Sequence, residues 1–341
     1  MSQTFTSYAP GRVNIIGEHT DYTGGLVFPM ALNLGITITG RLTEGEIHAR
    51  SSNQSDDVHI TLPVDPREVT TWGRYLAAAA MRAGANRGFD VDIESNLPAG
   101  GTGLSTSSAL TCAALLALAG DGDRRELAKM ARESEQDATG VQIGLMDQLS
   151  SLCGVEGSAL LIDCHDLRID PVVVPARLEI LIVHSGQERE IAASEYSARR
   201  EACFAAEKEI GPLRLAALDD VETLTDPTMK KRARHVVGDN QRVRMMADAF
   251  AANDIVGAAE ILTEGHRSYA DNFEASTPVV EDLVTHLVAQ PGILAARLTG
   301  GGFGGSIVAF AEPGANPNVE TWWTRATPSQ GAQISWTEDP A

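Results

Sequence analysis

Residues 11–22 read Gly11-Arg12-Val13-Asn14-Ile15-Ile16-Gly17-Glu18-His19-Thr20-Asp21-Tyr22. Arg, Asn, Glu, His and Asp fall within ten positions, between glycines and beside apolar Val13, Ile15 and Ile16. A solvated loop does not need that density of distinct hydrogen-bonding groups. A site that reads several hydroxyls of a polar ligand does. Thr23-Gly24-Gly25, a turn signal, follows, and then apolar Leu26-Val27-Phe28-Pro29-Met30-Ala31-Leu32. Taken alone, the stretch also fits a polar turn between two strands. Motifs further along the chain decide between these readings.

The chain has 341 residues, 43% of them hydrophobic, enough for a large core and two domains. The expected division is 1–175 and 176–341. A formal net charge of -19 excludes holding nucleic acid or an anionic membrane by bulk attraction. It does not forbid a nucleotide site, because glycine loops, a few cations and a bound magnesium ion set the local balance. The four cysteines, Cys112, Cys153, Cys164 and Cys203, show no CxxC spacing and sit in apolar or helical contexts. They read as buried free thiols in a reducing, cytoplasmic compartment. The N-terminus has neither the basic nor the apolar region of a signal peptide. The longest apolar run, 110–119, is too short for a bilayer and suits a buried helix.

Residues 34–40 and 89–95 alternate with the period of strands, as do 158–163 and 178–183. Helices are expected from about Ser107 and over 124–138. From 189 to about 286 the pattern is mostly helical, broken near Gly211-Pro212, Asp226-Pro227, Asn253 and Thr277-Pro278. Residues 294–298 and 306–310 are strands around a glycine loop. Strands and helices that do not alternate regularly give an α+β class.

The second motif is Leu97-Pro98-Ala99-Gly100-Gly101-Thr102-Gly103-Leu104-Ser105-Thr106-Ser107-Ser108-Ala109, between a strand and an apolar helix. Glycines let backbone approach a phosphate, and the helix N-terminus aims unpaired N–H groups at it. The serines can donate to phosphate, ligate magnesium or simply cap the helix. There is no GxxxxGK[ST], so this is not a Walker-type loop. The third motif, Leu298-Thr299-Gly300-Gly301-Gly302-Phe303-Gly304-Gly305-Ser306, has five glycines in six positions between two strands. Phe303 and the flanking apolar residues point to a packed turn near a ligand. Between these lie Glu135 to Gln148, ending Gly144-Leu145-Met146-Asp147-Gln148, and Ser194-Glu195-Tyr196 followed by Arg199-Arg200. On their own, Glu135 and Asp147 are two acids among 46, and acids are more often surface charges than site groups.

In this order the motifs closely resemble those of the galactokinases, a branch of the GHMP small-molecule kinases. The likeness spans roughly residues 8–310 and includes 232–240 and 264–268. It implies the GHMP kinase fold, two α+β domains with the site in the cleft between them. It implies transfer of the γ-phosphoryl of ATP to the anomeric C1 hydroxyl of D-galactose, in line and without a phosphoenzyme. By the same resemblance, Asp147 and Arg12 are catalytic, and Glu18, His19, Asp21, Gly144, Asp147 and Tyr196 line the sugar. Gly100, Gly101, Thr102, Gly103, Leu104, Ser105, Thr106, Ser107 and Ser108 hold ATP, with Trp72 and Tyr75 near the adenine. Mg2+ falls to Glu135 with Ser107 or Ser108. Ser108 is expected, because it directly precedes Ala109 as in the family pattern.

Two departures stand out. The stretch from Leu104 to Ala109 is one residue longer than in most galactokinases, a form closer to N-acetylgalactosamine kinases and some heptose kinases. Ile143 replaces the family's usual Cys. The alternatives are a GHMP kinase acting on N-acetylgalactosamine, galacturonate or arabinose, or a non-catalytic galactose and ATP sensor. Intact Asp147, Arg12 and Glu135 argue against the sensor. The implied partners are a sugar and ATP, with no nucleic acid or membrane, in a monomer or weak homodimer.

Overall fold

The computed structural model describes residues 3–84, 86–99, 101–187 and 192–338. Gly100, expected in the phosphate loop, lies outside them. In chain order the first half runs β1 (Gln3–Asn14), β2 (Leu26–Val27), β3 (Pro29–Glu44), β4 (Glu46–Ser51), β5 (Val58–Thr61), α1 (Arg74–Gly84), β6 (Arg87–Ser95), α2 (Thr106–Ala119), α3 (Arg124–Thr139), α4 (Met146–Cys153), β7 (Ser158–Asp163) and β8 (Arg168–Val173). The second half runs β9 (Glu179–His184), α5 (Ala192–Ile210), α6 (Leu218–Glu222), α7 (Pro227–Ala251), α8 (Ile255–Asp271), α9 (Pro278–Val288), β10 (Ile293–Leu298), β11 (Ser306–Ala311), β12 (Trp323–Ala326) and β13 (Gln333–Glu338).

A six-stranded sheet has the order β13-β1-β3-β6-β4-β5, a four-stranded sheet β10-β11-β9-β12, and a three-stranded sheet β2-β7-β8. This is the expected α+β class. The last strand returns to the first: β13 pairs antiparallel with β1, Gln3 opposite Glu338. A division of the chain at residue 175 therefore cuts across this sheet, with five strands on one side and β13 on the other.

α2 reads apolar all round, and every residue from Ser108 to Leu118 is buried, as a helix inside a core must be. It packs with α1 and α3 and against β1 and β3. Leu115, Phe5, Phe89 and Ile38 belong to the larger core. A second core gathers Leu181, Val183, Val236, Phe273, Leu298 and Ile307 between the four-stranded sheet and its helices. Two of the four expected helix breaks are helix starts. Asp226 accepts from the Met229 N–H and Thr277 from the Val280 N–H, each followed by proline at the first helical position.

The structure moves two expected boundaries. The segment 11–14 closes β1 instead of forming a turn. α2 begins at Thr106, with Ser105 at the cap position. All four cysteines are free; Cys112 and Cys203 are buried, but Cys153 and Cys164 are only half-buried. Among the described residues, no helix is long and apolar enough to cross a membrane.

Candidate active site

The end of β1 docks on the phosphate loop at a glycine. A Cβ at Gly11 would lie 2.6 Å from the Leu104 carbonyl oxygen and 2.7 Å from Leu97 Cδ2. The pairing of β1 with β3 shifts register between Pro10 and Arg12, and the Arg12 N–H donates to Leu104 O at 3.2 Å. Irregularities of this kind re-aim a side chain. Here the side chain is Arg12. Its Nε donates to Asp147 Oδ1 and its Nη2 to Asp147 Oδ2, both at 2.7 Å, while Nη1 donates to Gly103 O at 2.6 Å. The Arg12–Asp147 pair is thus bidentate, the strong form of an ion pair.

Asp147 sits in the first turn of α4, where the helix dipole favours an anion. Ser105 donates to its Oδ2 at 2.5 Å. Ser105 has φ 60°, left-handed for a non-glycine residue, and its side chain makes no cap bond to α2. That strain aims the hydroxyl at Asp147. A carboxylate has about four acceptor sites. Three are filled here, which leaves one for a ligand hydroxyl.

A second acid cluster flanks the loop. Glu135 accepts from Ser107 Oγ at 2.8 Å and from Gln148 Nε2 at 2.5 Å. Burial pushes its carboxyl up to about 7, against the opposing bonds from Ser108, Gln148 and Ser107. Ser108 is 1% exposed and accepts from Gln148 Nε2 at 3.3 Å. Adjacent helix positions point about 100° apart; both serines reach Glu135, Ser108 from a buried position and Ser107 from a half-buried one.

Two cavities meet at this centre. One, of about 520 Å³, is lined by the loop residues Gly101 to Ser107, by Trp72 and Tyr75, and by Arg12 and Asp147. Trp72 and Tyr75 also pack on the edge of the larger core. The other cavity, of about 540 Å³, is lined by Glu18, His19, Asp21, Gly144, Tyr196, Gly300 and Gly301 with Glu135. Arg12, Tyr75, Ser107 and Asp147 line both. Ser108 lines neither.

The residues of the second cavity differ in how free their polar atoms are. Asp21 lies against Gly144, where an added Cβ would fall 1.5 Å from Asp21 Oδ2; only glycine fits beside that carboxylate. Burial and the Asp147 charge push Asp21 up to about 6. His19 has φ 62° and bonds Tyr22 OH through Nδ1 and Tyr269 OH through Nε2, each at 3.1 Å. Burial drives its pKa well down, so the ring is neutral at pH 7. Its face lies 5.0 Å from the Tyr196 ring centroid. Glu18 is 2% exposed, and Asn14, Arg297, Thr299 and the Gly300 N–H already fill its acceptor sites. Its bonds tie the third glycine motif to the first. Ile143 also lines this cavity, closer to the site than its replacement of a thiol suggested.

Sequence reasoning missed what stands behind Glu18. Arg297 is completely buried on β10 and bonds both Glu18 and, at 2.9 Å, Asp239 Oδ2. Asp239 also accepts from the Gly17 and Glu18 N–H groups and from Arg242. Burial alone would raise Asp239, but the Arg297 and Arg242 guanidiniums outweigh it and hold it far below the usual carboxylate range. Asn240 Oδ1 accepts from the Leu26 N–H at 2.7 Å and occupies the space a Cβ at Gly25 would need. A lone arginine inside an apolar strand was the available signal.

Residues 1–42 match the galactokinase galactose-binding signature, 72–155 the GHMP kinases N terminal domain and 246–326 the GHMP kinases C terminal domain. The galactokinase of Chloroflexus aggregans is 37% identical over 332 residues, covering 89% of this chain and 83% of its own. That of Mycobacterium tuberculosis strain H37Rv is 38% identical over 320 residues, covering 89% and 87%. The crystal structure of Lactococcus lactis galactokinase complexed with galactose superposes with a TM-score of 0.88 at 27% identity, over 97% of this chain and 95% of that one. Methanococcus jannaschii mevalonate kinase shares the fold at 16% identity, with a TM-score of 0.69. Fold and site together define the GHMP class of small-molecule kinases. Within that class, the chain belongs to the galactokinase family.

Proposed function

We propose that this chain is an ATP-dependent kinase that transfers the γ-phosphoryl group to the C1 hydroxyl of D-galactose, giving galactose 1-phosphate. The carrying observation is the meeting of a glycine-loop cavity and a polar cavity at Arg12 and Asp147. Asp147 keeps one acceptor site for the sugar hydroxyl and takes its proton as the bond to phosphorus forms. Arg12 keeps the carboxylate in place and offsets charge on the transferring group. The loop from Gly101 to Ser105 and the start of α2 hold the phosphates. The reading assigns the loop and signature to 1–175 and assigns to 176–341 the residues that close the sugar cavity, Tyr196, Gly300 and Gly301. β13 is the exception, since it pairs with β1.

Mg2+ suits the donors present. Such ions take one or two carboxylates and complete their shell with substrate phosphates and water. Glu135 with Ser107 offers that set, and a buried carboxyl pushed up to about 7 gains from a nearby cation. Bound there, magnesium would neutralise charge on the phosphates. This reading puts Ser107 in the place expected of Ser108, because both reach Glu135 but Ser107 lines both cavities and Ser108 lines neither. Ser107→Ala is expected to raise the magnesium needed for half-maximal rate by about 10–100-fold, the range seen when groups around a metal are lost. Ser108→Ala should move it less. The reverse order in magnesium titrations would return the role to Ser108.

A coupled assay of sugar-dependent ADP release tests the whole reading. Galactose should be strongly preferred over glucose, because a site built around a hydroxyl rejects an analogue that leaves its polar groups unpaired. It should also be preferred over N-acetylgalactosamine, since Tyr196 faces the sugar cavity and the lengthened loop lines the other one. Background ADP release with galactose would favour a sensor. Equal kcat/KM for the two galactose-like sugars would move the chain to the N-acetylgalactosamine branch.

A further inference from the structure

Behind the wall made by Asp21 and Gly144 lies another cavity, of about 580 Å³, between α3, α5 and the loop after β7. Its lining carries Lys129, Arg132 and Arg200 against two acids, Asp21 and Asp166. That positive balance is unusual in a chain of net charge -19. Asp166 is partly used, accepting from the Arg168 N–H at 3.0 Å, and Asp21 also faces the sugar cavity. Lys129 pairs with Glu126 at 2.7 Å.

The two arginines are different. Among the described residues, neither Arg132 nor Arg200 has a hydrogen-bond or ion-pair partner, and the Nε of each is buried without an acceptor. Arg200 is held by rings instead, its Cζ 4.7 Å from the Phe204 centroid and 5.8 Å from that of Tyr22. A third arginine, Arg214, passes over Gly24 on the cavity rim. Most other arginines near this site are tied to carboxylates or carbonyls, as Arg12, Arg199 and Arg297 are. Guanidinium forks held on helices and left unpaired in a concave wall are built for an oxyanion. The buried Nε of each carries a penalty that an acceptor removes.

We propose that this cavity is a second ligand site, for a phosphate dianion or phosphomonoester, with Arg132 and Arg200 as its gripping residues. It is separate from the phosphate loop, and among the described residues it shares Asp21, Ile143 and Gly144 with the sugar cavity. The volume admits a phosphate bearing a small organic group. Neither arginine belongs to the reaction centre.

The test uses the full chain, free of sugar and nucleotide, melted in increasing inorganic phosphate or glycerol 2-phosphate at constant ionic strength. Tm should rise with phosphate. In the Arg132→Gln/Arg200→Gln double variant, the phosphate concentration needed for half the rise should increase at least about tenfold, since each charged hydrogen bond lost is worth about that much. If the double variant lacks a cooperative melt, Arg132→Lys and Arg200→Lys carry the test. They keep the charge but lose the fork, and the half-rise should again shift upward. A response to both anions assigns the cavity to phosphomonoesters, and a response to inorganic phosphate alone assigns it to the free ion. No rise in the parent, or a rise that the variants leave unchanged, overturns the proposal; the latter would put the anion on the phosphate loop.

Discussion

Asp147→Asn is expected to lower kcat by ~10²–10⁴-fold, the usual contribution of a positioned proton acceptor, with a much smaller change in sugar affinity. Asn is nearly isosteric but cannot take the proton. It also mismatches Arg12. The parent carboxylate accepts from both Nε and Nη2, whereas an amide turns one of those contacts into donor facing donor. Galactose binding should suffer less, because Asp21, Tyr196 and the Gly300-Gly301 backbone line the sugar cavity independently of Asp147. Steady-state kinetics beside calorimetric titration of galactose separates the two effects, since a loss confined to kcat marks an interaction made in the transition state. A variant turning over at close to the parent rate would remove Asp147 from the chemistry. The Arg12–Asp147 pair would then be a structural clasp.

The stretches that carry this chemistry were legible because they break local rules. Polar residues crowd between apolar ones at 12–21, and glycines interrupt strand-to-helix and strand-to-strand passages at 100–103 and 300–305. What stayed hidden depends on partners far along the chain. Arg297 reads as one polar residue in a short strand, yet it is buried because Glu18 and Asp239 converge on it from 279 and 58 residues away. His19 reads as a ligand-facing imidazole and lines the second cavity, and what the sequence did not show is that Tyr269, 250 residues on, holds one of its nitrogens and Tyr22 the other. The closing of the first sheet by β13 is likewise non-local. The choice between Ser107 and Ser108 was a matter of helix phase. A one-residue change in loop length alters that phase, and the start of α2 at Thr106 was not readable from the sequence.

Arg297→Met is expected to destabilise the fold by about 3–5 kcal/mol, the cost of leaving a buried charge without its partner. That is a large share of a typical stability of about 5–15 kcal/mol. Met matches the length of the arginine stem, so packing changes little and the electrostatic loss dominates. Two carboxylates lose a cation at once, Glu18 at 2% exposure and Asp239 at 0%. Asp239 keeps Arg242. Glu18 keeps only neutral donors from Asn14, Thr299 and Gly300. Burial already raises the Glu18 carboxyl despite Arg297, and without that cation it must rise further. An acid whose folded pKa lies above its unfolded value loses stability for the fold as pH climbs from the unfolded value up to the folded one, and the penalty is constant above that. The deficit of the variant should therefore be largest near pH 8 and shrink toward pH 5, where Glu18 can take up a proton. Urea melts at both pH values measure it. Glu18→Gln placed on top of Arg297→Met should recover part of the loss, because it removes the stranded charge and keeps a hydrogen-bonding group of the same size. Equal urea midpoints for parent and Arg297→Met at pH 8 would mean that the buried ion cluster contributes nothing to holding the signature loop.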